Sequence, residues 1–329
     1  MKNILKDILV VSLEQAVAAP LCSSRLADAG ARVIKIERKE GDFARHYDTY
    51  VKDQSAYFIW LNRGKESLVA DIKNKEDVKL IKNIILKADV YIQNLLPNAL
   101  KKLGLGSNDM RKLNPKLITC DISGYGDEGP YSAMKAYDLL VQAETGLCSI
   151  TGTESEPGRV GVSVCDIACG LNAYAGILEA LYERSFTGIG KSIKVSLFDG
   201  MSDWMNVPYL QYAYGKVKPK RVGLSHPSIA PYGSFATKDR KKVLISIQNE
   251  REWIILCNRV IKKAGLAKDA RFNNPSKRIK NREELDNIIS SCFKTYTRSA
   301  IMKNLVKYKI ACGALNNIED LAKRLEDNF

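Results

Sequence analysis

Between Gly161 and Leu178 the chain carries one charged residue, Asp166. The stretch reads GVSVCDIACGLNAYAGIL. Apolar residues follow at Leu171, Tyr174, Ala175, Leu178, Leu181 and Tyr182, one face of a helix, and Gly188 suits the turn after it. Asp166 is therefore expected just before that helix, near its N-cap. Two chemistries fit. An N-cap aspartate binds backbone N–H groups, and the pattern by itself favours this reading. A nucleophile uses the same place: the helix N-terminus keeps the carboxylate ionised, and an apolar wall strips its hydration.

Cations stand at other junctions. Arg38, Arg45, Lys102 and Lys135 each follow a strand pattern or lie where a loop meets a helix. Loops at strand C-termini are where α/β sheets bind ligands. Taken singly, each also reads as a solvated surface charge. The stretch SGYGDEGP sets Gly124, Gly126 and Gly129 in a G-x-G-x-x-G pattern after a strand. Pro130 and Tyr131 follow in place of a helix start, so a tight loop with close backbone approach is expected, not a dinucleotide fingerprint. The first strand–helix loop, QAVAAP, has no glycine fingerprint either.

The elements that must position these residues alternate. ILVVSLE, ARVIKIE, SLVADI, DVYIQNL, KLITCDISG and SIKVSLF read as strands, with helical patterns such as EDVKLIKNIILKA between them. The expected fold class is α/β: a Rossmann-like parallel sheet with helices on both faces, over residues 1–200. Residues 201–220 read as a linker. Residues 221–329 read as a smaller α+β domain, with two strands in SIAPYGSFATKDRKKVLISIQ and a helical tail.

Composition excludes several classes. The net charge is +14, but the lysines are spread along the chain and not interleaved with stacking aromatics, so no nucleic-acid partner is expected. The charge suits small anionic ligands instead. The eight cysteines form no C-x-x-C pair and there are only two histidines, His46 and His226; no metal site is expected, and the thiols read as reduced core residues of a cytoplasmic protein. Glu14 ends the first apolar run early, which argues against a signal peptide, and no stretch reads as long and apolar enough to span a membrane.

Several stretches together resemble one family: AAPLCSSRLADAGARVIKIERKEGDFAR, IQNLLPNALKKLGLG, NPKLITCDISGYGDEGPY, KAYDLLVQAETGL, and Asp166 with its helix followed by TGIGKSIKVSLFDG. They resemble the class III CoA-transferases (CaiB/BaiF type), whose superfamily includes formyl-CoA transferase and the α-methylacyl-CoA racemases. The resemblance implies that Asp166 is the nucleophile, passing through a mixed anhydride and an aspartyl-CoA thioester. It implies that Arg38, Ala99, Lys102, Leu103, Lys135 and Tyr137 line the CoA site, with Gln15, Val17 and Asn94 close by. It implies an acyl-CoA and a carboxylic acid as partners, no permanently bound cofactor, and an interlocked homodimer.

The racemases carry a catalytic histidine where this chain has Tyr137, so the resemblance favours transfer over racemisation. The oxalate-handling branch has a glutamine at the position of Val17 and a glycine-rich loop in the second domain. This chain has GLSHPSIAPYGSF and VLISIQNEREW instead, which resemble the branch acting on mesaconate, citramalate, itaconate and succinate. His226, Ser228 and Tyr232 would then approach the acyl group; a histidine capping a strand is the plain alternative. Family chains carry a further segment that returns to the first domain, and this sequence stops at Phe329. A catalytically silent CoA-binding relative is therefore a competing expectation.

Overall fold

The computed structural model describes residues 3–96 and 99–327. Six strands form one parallel sheet: β1 (Leu9–Leu13), β2 (Arg32–Glu37), β3 (Lys65–Val69), β4 (Val90–Gln93), β5 (Ile118–Ser123) and β6 (Ser192–Ser196). Their order is β3-β2-β1-β4-β5-β6, so the chain reverses direction across the sheet between β1 and β4. Parallel strands need crossovers, and each crossover lays a helix on a face. The central strands are therefore apolar on both sides. Val10, Val33, Val90, Ile92, Ile118 and Cys120 share one core; Val11, Leu13, Ile36 and Tyr91 share the other.

Nine helices belong to this unit among the described residues: α1 (Ala18–Asp28), α2 (Ala56–Asn62), α3 (Lys75–Ile85), α4 (Ser107–Leu113), α5 (Asp138–Glu144), α6 (Leu147–Ile150), α7 (Val164–Thr187), α8 (Leu197–Trp204) and α9 (Asn206–Ala213). Helices α1 and α7 cover the first core, with Cys22, Leu26, Cys169, Ala173 and Ile177 facing the strands. Ile81 and Ile85 of α3 and Met110 of α4 cover the second. Helix α7 lies so close to α1 that a side chain at Gly170 would put its Cβ 2.5 Å from the Ala18 carbonyl oxygen. Only glycine fits that approach.

Residues 1–151 with 157–218 form this unit, and residues 152–156 with 219–329 form a second. The second holds a three-stranded antiparallel sheet, β7 (Tyr232–Ala236), β8 (Lys242–Ser246) and β9 (Ala311–Ala314), in the order β7-β8-β9. Helices α10 (Glu250–Ile255), α11 (Pro275–Lys280), α12 (Arg282–Phe293), α13 (Arg298–Lys307) and α14 (Ile318–Glu326) belong to it, and Trp253, Phe272, Ile289 and Phe293 fill its core.

Three sequence readings change. The stretch read as a linker over 201–220 instead carries the end of α8 and all of α9. Its tyrosines and Pro208 masked the helical period. Strand β9 was not expected; its four residues ACGA have too little β-branched character to read as a strand, and pairing with β8 makes them one. Helix α7 is, by length and composition, apolar enough to cross a membrane, contrary to the sequence reading. Its Cys165, Ala168, Cys169, Ala173, Ile177 and Ala180 are buried in the first core, which gives its apolar character another use.

Candidate active site

The turn between β1 and α1 brings backbone to the C-terminal edge of the sheet. Gln15, Ala16 and Val17 form it. The Asn94 side chain, just past β4, brackets residue 15: Oδ1 accepts the Gln15 N–H at 2.9 Å and Nδ2 donates to the Gln15 carbonyl at 2.8 Å. Val17, the N-cap of α1, makes no side-chain cap bond, and no other side chain among the described residues caps that helix. The first-turn N–H groups of Ala18 and Ala19 thus have no intrahelical partner. Val17 is buried with Leu21 and Leu61, and Ile167 of α7 packs on the same cluster. The start of α1 and the residue after Asp166 are thereby held together.

Asp166 does not cap its helix. It is the third residue of α7, and Ser163 is the N-cap, whose side chain makes no capping bond. The cap comes from another helix. Asp138, the first residue of α5, accepts the Cys165 N–H at 2.8 Å and the Asp166 N–H at 3.4 Å on Oδ1. Gln142 donates to Oδ2 of the same carboxylate at 2.6 Å. The capping role expected of Asp166 is filled, which leaves the Asp166 carboxylate free of it.

The helix N-terminus is not what sets the charge of Asp166. Its pKa is pushed up to about 7, first by burial and then by the negative charge of Asp138. The helix dipole favours the anion, but Asp138 has already taken the first-turn amides and has added a like charge. A carboxyl whose pKa is raised this far by burial and a like charge is a functional-site signature.

Aromatic residues close around it. Tyr47 packs edge-on against Tyr57 at 5.5 Å, and the Tyr57 hydroxyl lies 3.5 Å from Ser163 Oγ at the start of α7. Burial, followed by the charge of Asp166, pushes the Tyr47 phenol up to about 12, so it stays a neutral donor. Tyr137, the N-cap residue of α5, stands beside Asp138 and is exposed.

The other expected CoA-site residues line the same sheet edge. Arg38 follows β2 and donates to the Gly41 carbonyl at 3.2 Å. Ala99, Lys102 and Leu103 lie after β4, the last two in a 3-10 turn, with Leu103 against the second core. Lys135 follows the glycine loop. A Cβ at Gly124 would come 2.1 Å from that of Ala136, so glycine there is what lets the Lys135–Tyr137 strand of backbone lie against the end of β5. Gly126 and Gly129 have φ of +87° and +85°, a turn and not a nucleotide cradle. Lys102 and Lys135 have no ion pair among the described residues and are exposed cations. His226, Ser228 and Tyr232 lie together in the second unit: His226 Nδ1 accepts the Ser228 N–H at 3.1 Å and its ring stacks on Tyr232 at 5.1 Å. The histidine closes a turn ahead of β7, which is the plain alternative.

A cavity of about 340 Å³ opens at the ends of β4, β5 and β6, walled by Gln93, Lys101, Asp121 and Ser196 among others. Asp166 is not in its wall, so the reactive group and not the cavity marks the candidate site. Among the described residues no group of three or more His, Cys, Asp or Glu is set to hold a metal. All eight cysteines are free; five are buried, and Cys148, Cys292 and Cys312 are half-buried. Sequence reasoning missed Asp138, Tyr47, Tyr57 and Asp42. Asp138 carried a signal, an acid opening a helical pattern; its pairing with an amide 28 residues away carried none.

An α/β sheet with loops at its C-terminal edge and a carboxyl of raised pKa beside them is an arrangement suited to covalent chemistry at that carboxyl. The chain belongs to CoA-transferase family III, which it matches over residues 5–327. It is 33% identical to a mouse (Mus musculus) succinyl-CoA:glutarate CoA-transferase, covering 96% of this chain and 73% of that protein. It is 35% identical to an acetyl-CoA:oxalate CoA-transferase of Acetobacter aceti (96% and 81% covered), and 32% identical to a succinyl-CoA:mesaconate CoA-transferase of Haloarcula hispanica (96% and 81%). Among solved structures, a CaiB/BaiF family protein from Brucella suis superposes with a TM-score of 0.85 at 34% identity, over 97% of this chain and 86% of that one.

Proposed function

We propose that this enzyme moves CoA from succinyl-CoA to a C4 or C5 dicarboxylic acid, with Asp166 as the acyl carrier. The Asp166 carboxylate attacks the thioester carbonyl and the C–S bond breaks, giving a mixed anhydride and CoA thiolate. The thiolate then attacks the aspartyl carbonyl, forming an aspartyl-CoA thioester and releasing the first acid as its carboxylate. The acceptor carboxylate attacks that thioester, and the steps reverse to deliver the new acyl-CoA. Each tetrahedral oxyanion needs donors. The uncapped N-terminus of α1 supplies N–H groups on the side where Val17 meets Ile167. Arg38, Lys102 and Lys135 supply charge for the CoA phosphates.

The single observation carrying this reading is the carboxylate itself: Asp166 sits in a helix first turn whose amides another acid has capped. Poor hydration makes its anion a reactive nucleophile, and among the described residues no hydrogen bond or ion pair holds it. Mixing the protein with succinyl-CoA, quenching with hydroxylamine and mapping the adduct by mass spectrometry tests it. A hydroxamate at Asp166, absent in Asp166→Ala, is expected. Turnover with no adduct at Asp166 refutes the covalent route; CoA binding with neither adduct nor turnover makes the chain a silent relative. Parallel assays with glutarate, mesaconate, citramalate and oxalate read the acceptor. A preference for oxalate would overturn the C4/C5 assignment, which identity to the relatives leaves open.

A further inference from the structure

The turn ahead of α1 holds a conformation its own residue does not favour. Ala16 has φ of +66°, in the left-handed region that suits glycine. The hold comes from Asp42. Its Oδ1 accepts the Ala16 N–H at 3.1 Å and the Ala44 N–H at 2.9 Å. Its Oδ2 accepts Lys35 Nζ at 2.6 Å. Asp42 is 2% exposed and Lys35 1%, so this pair lies inside the protein. Lys35 is fixed in turn by Asn62 Oδ1 at 2.9 Å, and the Asp42 N–H is held by Glu37 Oε2 at 2.9 Å.

We infer that Asp42 is a positioning residue for acyl transfer: through the Ala16 amide it locks the Gln15–Val17 turn, and so aims the first N–H groups of α1. The inference rests on the proposed role of that helix end. Asn94 grips residue 15 from one side and Asp42 grips residue 16 from the other, so the peptide entering α1 is fixed at two successive amides. An aspartate is required because one short carboxylate must reach two amides and an ammonium at once. Removing the charge leaves the Lys35 ammonium buried without its closest partner. Displacement of donors by a fraction of an ångström is enough to slow a reaction that depends on oxyanion stabilisation. A role confined to capping the Phe43–His46 turn and neutralising Lys35 would not involve residue 16.

The test uses the full chain with Asp42→Asn, Ala16→Gly and the double variant. Asparagine keeps the size and one acceptor oxygen. Two readouts are taken: amide hydrogen exchange over residues 14–19, and turnover of succinyl-CoA with glutarate per folded protein, beside CoA affinity. In Asp42→Asn the exchange rises and turnover falls by about tenfold or more, while CoA affinity stays within about threefold. Ala16→Gly is measured as its own reference, and placed on Asp42→Asn it recovers at least about threefold of turnover relative to Asp42→Asn, because glycine takes the left-handed conformation without help. Asp42→Glu, which keeps the charge facing Lys35, serves where Asp42→Asn does not fold; it too loses turnover and is rescued by the same glycine. Unchanged exchange over 14–19, or glycine that gives no rescue, overturns the inference. A parent protein that transfers CoA to no acid refutes the proposed function, and the exchange arm still decides the clamp.

Discussion

Replacing Asp138 with asparagine separates the two forces that raise the Asp166 pKa. Asparagine keeps an oxygen for the Cys165 and Asp166 amides, so the α7 cap survives while the charge and the bond that Gln142 donates to Oδ2 are lost. The rise from 3.8 to about 7 corresponds to about 4 kcal/mol against ionisation. Burial is the larger cause and the Asp138 charge the second. Asp138 therefore carries less than half, below about 2 kcal/mol, or roughly one and a half pH units at most. The transfer reaction needs the Asp166 anion, so kcat/KM rises with pH through the pKa of the free enzyme. The parent limb is expected near pH 7, and the Asp138→Asn limb about one pH unit lower, with activity at about pH 6 increased several-fold relative to each variant's plateau. The assay is succinyl-CoA turnover with a fixed acceptor across pH, with both substrates limiting. A limb that stays put, or moves upward, refutes the argument that Asp138 acts on Asp166 through charge.

Two further outcomes follow from the same geometry. Because the folded pKa of Asp166 lies above its unfolded value, the folded state holds a proton that the unfolded state gives up between about pH 4 and 7, and stability is lost as pH rises through that window. Asp166→Asn removes that loss, so its unfolding midpoint in denaturant should exceed the parent's at about pH 8, by an amount worth about 1–3 kcal/mol, and approach it at about pH 4; equal midpoints at both pH values contradict the desolvated carboxylate. Gly170→Ala places a Cβ 2.5 Å from the Ala18 carbonyl oxygen and 3.1 Å from Leu21 Cβ, so α1 must move off α7. A stability loss of about 1–3 kcal/mol in chemical denaturation is expected, with turnover lost in the protein that remains folded; an unchanged midpoint would mean that the helices do not approach as described.

Local pattern was enough for much of this protein. Parallel strands buried on both faces must be continuous apolar runs, so β1, β2, β4 and β5 are visible in ILVVSLE, ARVIKIE, DVYIQNL and KLITCDISG, and the alternation with helices dictates the α/β class. Asp166 stood out because a charge inside an apolar helix start is conspicuous one residue at a time. Its environment was not visible in that way. That Asp138 caps α7, that Asp42 reaches Ala16 across 26 residues, and that Asn94 reaches Gln15 across 79 depend on which strands lie side by side. The order β3-β2-β1-β4 sets the β1–α1 turn between the ends of β2 and β4, and no local spacing encodes that neighbourhood. The direction of the Asp166 pKa was decided there too. The helix dipole belongs to the sequence of one element and argues for the anion; burial and the neighbouring carboxylate belong to the packed molecule, and in a poorly hydrated interior they outweigh it.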